Sequence, residues 1–202
     1  MIAVLTGDIV NSSKIDINEW LPLLKKSLSQ FGETPADWDI YRGDSFQLKI
    51  NKPEGALQVA LAIKASIKTI KDLDIRISIG FGDINHSAKR VTESNGSAFI
   101  YSGEKFETLK KDKINLAVKS DRQDFDSDIN MFLRLALLIM DHWTENSAEI
   151  VSLALKYPEK SQAELGELIG IKQNTVSTRL KRSAFEEILA MDALFRDKLK
   201  RL

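Results

Sequence analysis

The sequence predicts an α+β fold in two parts, an antiparallel sheet with helices followed by an all-helical segment. Three observations carry that prediction. Apolar residues alternate at strand spacing and recur at helical spacing in turn through the first 120 residues or so. Near residues 120–128 the segment SDRQDFDSD is polar and acidic. Beyond it every periodic segment is helical, so the boundary falls there, with parts at 1–122 and 123–202.

Taken in order, Ile2–Leu5 is continuously apolar, as a central strand covered on at least one face should be. Residues 16–31 place Leu21, Leu24, Leu28 and Phe31 at helical spacing. Trp38–Tyr41 and Phe46–Ile50 alternate as strands joined by the tight Arg42-Gly43-Asp44-Ser45 turn. A helix follows with Ala56, Val59, Ile63, Ile67 and Ile70 on one face. Ile75, Ile77, Ile79 and Phe81 then alternate with Arg76, Ser78 and Gly80 in a half-buried strand. A short helix near 103–111 and a strand around 114–119 complete this part. The order β-α-β-β-α-β is that of a ferredoxin-like or palm-type domain, with helices on one face of the sheet.

The most informative stretch lies in the second part. Ser161 and Glu164 form a capping box, in which each side chain satisfies an orphan amide at a helix start. Leu165, Leu168 and Ile169 give that helix an apolar face, and Gly170 can take the left-handed conformation that ends it. After a short turn, Val176 and Leu180 mark the buried side of a second helix. Small Gly166, turn Gly170 and β-branched Val176 fall at the positions of a DNA-binding helix-turn-helix. Lys172, Arg179, Lys181 and Arg182 are the charged residues between Lys172 and Ala184, with no acid among them. Gln173, Asn174, Thr175, Ser177, Thr178, Arg179 and Arg182 are therefore the candidate contacts to double-stranded DNA: amides and hydroxyls for base edges or phosphates, arginines for sequence-independent affinity. Lys172 is a poor capping residue, which makes Asn174 an alternative helix start.

Lys+Arg and Asp+Glu both number 29 in 202 residues, so any attraction to DNA must be local. The absence of cysteine excludes a disulfide framework, a thiol nucleophile and cysteine-ligated zinc. His86 and His142, the two histidines, are too few for a histidine-rich metal site. His86 reads as a solvated loop residue and His142 as a helix end. The N-terminus lacks a basic region and Asp8 interrupts its apolar run, which argues against a signal peptide. Met131–Met140 is about half a membrane span and contains Arg134. These features predict a cytoplasmic protein.

The predicted topology brings two carboxylates together. A right-handed β-α-β crossover sets the first two strands in the same direction, so their C-terminal ends share one edge of the sheet. Asp8 sits where the first strand ends and Asp44 in the turn after the second. Two carboxylates a few Å apart repel by about 4 kcal/mol at an effective dielectric near 20. Such a pair persists by sharing a proton, pairing with a base, or binding a hard cation such as Mg²⁺. Gly7 and Gly43, each preceding one aspartate, are the candidate positions for close approach of a nucleotide phosphate.

The segments LTGDIVNSS, YRGDSF, RISIGFG and GSAFIYSGEKFETL resemble the catalytic core of class III nucleotide cyclases, related to polymerase palm domains, over roughly residues 1–120. The resemblance implies that Asp8 and Asp44 hold metal ions on a nucleoside triphosphate. It departs at Glu107 and Lys111, where the family has the asparagine and arginine that position ribose and stabilise the transition state. Losing that arginine removes a donor worth on the order of a few kcal/mol of barrier, which argues against cyclisation. Over nearly its whole length the chain resembles the SatD family, through its GDIVxSS-type segment, its GDSFQ hairpin and Trp143-Thr144 ahead of the helix-turn-helix. That resemblance implies the two-part architecture and a bacterial origin.

Together these readings predict a DNA-binding transcription regulator whose N-terminal part binds a nucleotide or Mg²⁺. The alternatives are a metal-dependent nucleotidyl-transfer or nucleotide-hydrolysing enzyme localised by its helix-turn-helix, and an interaction adaptor. Phe185, Ile188, Leu189, Met191, Phe195, Leu199 and Leu202 form a stripe in the tail. It either covers the helix-turn-helix core or makes a homodimer contact, since such proteins commonly read two half-sites.

Overall fold

The computed structural model describes residues 1–201, and Leu202 of the predicted tail stripe lies outside the described residues. Strands β1 (Ile2–Val10), β2 (Trp38–Tyr41), β3 (Ser45–Ile50), β4 (Asp74–Gly82) and β5 (Leu116–Lys119) form one sheet of order β2-β3-β1-β4-β5. β1 is antiparallel to both β3 and β4, and β2 is antiparallel to β3. β1 and β2 therefore run the same way with β3 between them. β5 pairs with β4 in parallel, so the sheet is mixed rather than wholly antiparallel. The cause is helix α3 (Ser97–Asp112), which carries the chain back before β5 begins, as parallel neighbours require.

Helices α1 (Ile17–Leu28) and α2 (Ala56–Ile67) pack on the face that carries Leu5, Ile77 and Ile79. α3 covers the opposite face, where Val4 meets Ala98 and Phe99, and the Thr6 and Ser102 hydroxyls stand 3.0 Å apart. Helices thus cover both faces, not one. This explains why Ile2–Leu5 is continuously apolar: a strand enclosed on both sides has no solvent face to mark. α3 also begins six residues earlier than the 103–111 prediction. Its first turns are set by close approach instead of apolar spacing. A Cβ on Gly80 would fall 2.2 Å from the Ala98 carbonyl oxygen and 2.3 Å from the Ser102 nitrogen. The Ser97 hydroxyl accepts from the Asp83 amide at 2.8 Å.

From Gln123 onward the chain is helical: α4 (Gln123–Met140), α5 (Glu145–Lys156), α6 (Gln162–Ile169), α7 (Gln173–Arg182) and α8 (Phe185–Leu199). One hydrophobic cluster runs from Ala3 in β1 to Leu199 in α8. Phe81, Phe125 and Phe195 join sheet, α4 and α8, with ring centroids 5.7–6.2 Å apart. Phe185, Ile188, Phe195 and Leu199 of the tail stripe are buried inside the chain.

A buried charge cluster links the helices to the sheet. Lys64 Nζ donates to Asp74 Oδ1 and to Asp141 Oδ1, both at 2.7 Å, while only 1 % exposed. Lys68 Nζ reaches Asp74 Oδ2 at 3.2 Å and the Asp141 carbonyl at 2.9 Å. Two ammonium groups set against two carboxylates keep any one charge from being buried alone, which would be strongly destabilising.

Candidate nucleic-acid interface and the aspartate rim

The second helix pair has the geometry its sequence implies. Ser161 caps α6 by accepting from the Glu164 amide, and the Glu164 side chain accepts from the Ser161 amide at 2.8 Å. The Ser161 hydroxyl donates to the same Glu164 oxygen at 2.7 Å, and these two donations from Ser161 hold the exposed Glu164 carboxyl below the usual carboxylate range. Gly170 follows at φ 69, in the left-handed region that favours glycine. Gly166 is small for a contact reason: a Cβ there would lie 2.5 Å from the Ile171 carbonyl oxygen and 3.3 Å from Val176 Cγ2. Leu165 and Val176 are buried between the helices, whereas Leu168 faces solvent.

α7 begins at Gln173 with Lys172 in the capping position and no side-chain cap, so Asn174 lies inside the helix and does not start it. Its apolar side, Val176 and Leu180, faces inward. Gln173, Asn174, Thr175, Ser177, Thr178, Lys181 and Arg182 are exposed. Thr178 Oγ1 donates back to the Asn174 carbonyl at 2.8 Å, so its hydroxyl keeps only its acceptor capacity for an outside partner. Arg179 stands apart from the others: it donates to Glu149 Oε2 of α5 at 2.9 Å and its side chain is 18 % exposed. No local pattern could have paired residues 149 and 179. Trp143 is buried and its Nε1 donates to the Ser183 carbonyl at 3.0 Å, tying the end of α7 to the segment after α4. His142 is exposed.

The sheet does bring Asp8 and Asp44 to one rim. β1 extends past Asp8 to Val10, so Asp8 lies within the strand and not after it. It pairs in register with Ser45, next to Asp44, and the Ile9 amide donates to the Asp44 carbonyl at 3.3 Å. Arg42 and Gly43 adopt φ 53 and φ 88 in the hairpin turn, leaving Gly43 open to solvent. Gly7 is enclosed, because a Cβ there would lie 2.5 Å from the Phe46 ring and 2.7 Å from the Arg76 carbonyl. Its small size is accounted for by packing.

Both carboxylates already have partners. Arg76, opposite Asp8 on β4, places Nη1 3.1 Å and 3.0 Å from the two Asp8 oxygens. The Ser12 hydroxyl donates to Asp44 Oδ2. Burial pushes the Asp8 carboxyl above its ordinary range, against the opposing pull of Arg76, and the Asp44 charge adds to the rise. Tyr41 is likewise raised by burial. Of the three ways such a pair persists, the rim uses the base, for Asp8; Asp44 has a hydroxyl donor instead, which the sequence reading did not include. Arg76 was legible in the sequence only as a polar residue alternating with Ile75, Ile77 and Ile79, and its partner was not legible. Glu107 and Lys111 are exposed on α3.

Among the described residues no group of three or more His, Asp or Glu side chains converges as a metal site. A hard divalent cation takes six or more oxygen ligands and favours carboxylates with free charge. The rim offers two carboxylates, Asp8 and Asp44, and Asp8 is already paired with the Arg76 guanidinium, so a cation held by both would have to displace that pairing. Among the described residues no helix is long and apolar enough to cross a membrane.

Residues 1–193 match the family model described as the SatD family, and the chain belongs to that family. No curated protein matches the sequence.

Proposed function

We propose that this SatD-family protein is a transcription regulator that binds double-stranded DNA through α7. The observation that supports this is the division of that helix into two sides. Its apolar side is packed against α5 and α6, and its polar side carries amides, hydroxyls and cations that, Arg179 apart, no neighbouring element uses. Unpaired donors and acceptors on one side of a packed helix are what a duplex groove and its phosphates recognise. Gln173, Asn174, Thr175, Ser177 and Thr178 supply the short polar contacts, and Lys181 and Arg182 the phosphate contacts. Arg179 contributes less, because Glu149 already holds its guanidinium.

Fluorescence anisotropy with a mixed-sequence duplex tests this without knowledge of an operator. Lys181→Ala with Arg182→Ala should weaken binding about tenfold or more and lower the salt slope by about two, one per lost phosphate contact. Unchanged affinity and slope would overturn the assignment of α7 as the reader.

The rim completes the reading as a place where a nucleotide is sensed. A phosphate arriving at open Gly43 meets Arg42, with Arg76 and Lys110 near Asp8. Such a ligand alters DNA affinity only by favouring one arrangement of the molecule over another. Nucleoside triphosphates, with and without Mg²⁺, are the ligands to titrate. Turnover abolished by Asp8→Asn would replace the sensing role with an enzymatic one. A regulator of this kind acts in the bacterial cytoplasm, where the DNA is.

A further inference from the structure

α4 buries one side and leaves a second apolar side uncovered. Phe125, Ile129, Leu133, Leu137 and Met140 face the core. Met131, Leu135, Leu138 and Ile139, at spacings of four, three and one, stand 56, 57, 70 and 42 % exposed. α8 runs antiparallel beside it, with Lys198 Nζ 2.7 Å from Asp128 near the start of α4 and Ala184 beside Ile139 near its end. Between the two helices lies a groove of about 380 Å³ whose walls include Phe132, Ala136, Met191 and Leu194. Leu194 is 40 % exposed.

The five most exposed of these side chains present on the order of 500 Å² of largely apolar surface, near the upper end of what a monomer leaves open. A stable interface buries about 800 Å² per partner. The exposed stripe supplies the larger part of that area, and the partly exposed Phe132, Ala136 and Met191 of the groove walls continue it in one patch.

The charges on this patch indicate its occupant. Arg134 lies beside Leu138 and Met131 on the outer side of α4, and Glu187 lines the groove from α8. Both are exposed, and neither forms an ion pair among the described residues. One cation and one anion on opposite sides of an apolar patch make it self-complementary. A twofold rotation brings the cation of one copy to the anion of the other, twice, while the apolar stripes meet between them.

We infer that the α4–α8 face is the homodimer interface of this protein, its occupant a second copy of the chain docked about a twofold axis through the Met131–Leu135–Leu138 stripe. It does not depend on α7 reading DNA. If α7 does, the dimer presents two reader helices, each joined to the interface through Ser183 and Ala184.

Sedimentation velocity on the full chain, without DNA, tests the inference over low to high micromolar concentration. The wild type should sediment at twice the chain mass. Leu135→Glu with Leu138→Glu should sediment as a monomer with an unchanged circular-dichroism spectrum, because both side chains point to solvent in the monomer. Arg134→Glu alone should weaken dimerisation about tenfold or more, and adding Glu187→Arg should restore it. A wild type that stays monomeric at high micromolar concentration would overturn the inference, whether the patch then captures another protein or lipid vesicles. A dimer that survives the double glutamate variant, or a charge swap that fails to restore association, would overturn it equally.

Discussion

Two polar regions of this molecule use their charges in opposite ways. At the sheet rim, Asp8 is held by Arg76 and Asp44 by Ser12. On α7 the side chains from Gln173 to Arg182 are mostly free, with Arg179 the exception. Paired groups stabilise a fold and must be released before they can bind anything; unpaired exposed groups cost the fold nothing and are ready for a partner. The difference favours α7 as the recognition surface and casts the rim as a preorganised seam that a ligand must compete to enter.

The largest effect that could sharpen this contrast lies where pairing is most complete. Lys64→Met removes the buried ammonium that serves Asp74 and Asp141 together, leaving the Asp74 carboxylate to Lys68, Asn115 and the Ile75 amide and taking from the Asp141 carboxylate its ammonium partner. It should cost about 3–5 kcal/mol in denaturant unfolding, the usual penalty for breaking a buried ion pair from one side. A loss under about 1 kcal/mol would mean that the cluster is solvated and does not join the two parts of the chain.

On the helix pair, Gly166→Ala sets a methyl against the Ile171 backbone, which cannot yield as a flexible side chain would. We expect about 1–3 kcal/mol of destabilisation, typical of overpacking, with DNA affinity falling as α6 and α7 part. Full stability in thermal unfolding would show the turn to be more pliable than the packing implies.

The exception on α7 provides an internal control. Arg179→Ala should reduce DNA affinity less than Arg182→Ala. Glu149→Gln, which frees Arg179 and removes an acid from its side, should tighten binding a few-fold in the same anisotropy assay. Equal losses for the two arginines would break the distinction between held and free cations.

The smallest effect concerns pH at the rim. Because the folded-state pKa of Asp8 lies above its ordinary value near 3.8, the native state takes up that proton more readily than the unfolded chain. This residue's contribution to stability therefore declines as pH rises through 3.8 toward the raised value, and recovers on acidification. Asp8→Asn should remove that component, so wild type gains on the variant as pH falls through this window. Melting temperatures for both proteins across that range check it; parallel curves would mean that Asp8 titrates as an ordinary surface carboxylate.

Local signals explain what could be read without coordinates. The capping box, the left-handed Gly170 and the inward Val176 and Leu180 all act within a few residues, so spacing alone revealed the helix pair. The order of strands and helices and the shared rim of Asp8 and Asp44 follow from chain direction and crossover handedness, which are equally legible. The α3 start was missed because it rests on Gly80 and Gly82 letting backbone meet backbone, a contact with no apolar period. The parallel β5 was missed because strand direction at a sheet edge depends on where the preceding helix delivers the chain.

By itself the sequence determined the α+β class, the change to helices near residue 123 and the helix pair with its capped first helix and acid-free second helix, because each rests on interactions between near neighbours. Only the tertiary structure decided which charges are spent: Arg76 on Asp8, Glu149 on Arg179, Lys64 on two distant aspartates. It also decided that the apolar run of α4 has one side buried and one side bare. Those outcomes depend on which surfaces meet across long stretches of chain, and a linear pattern of residues does not encode that separately from the fold.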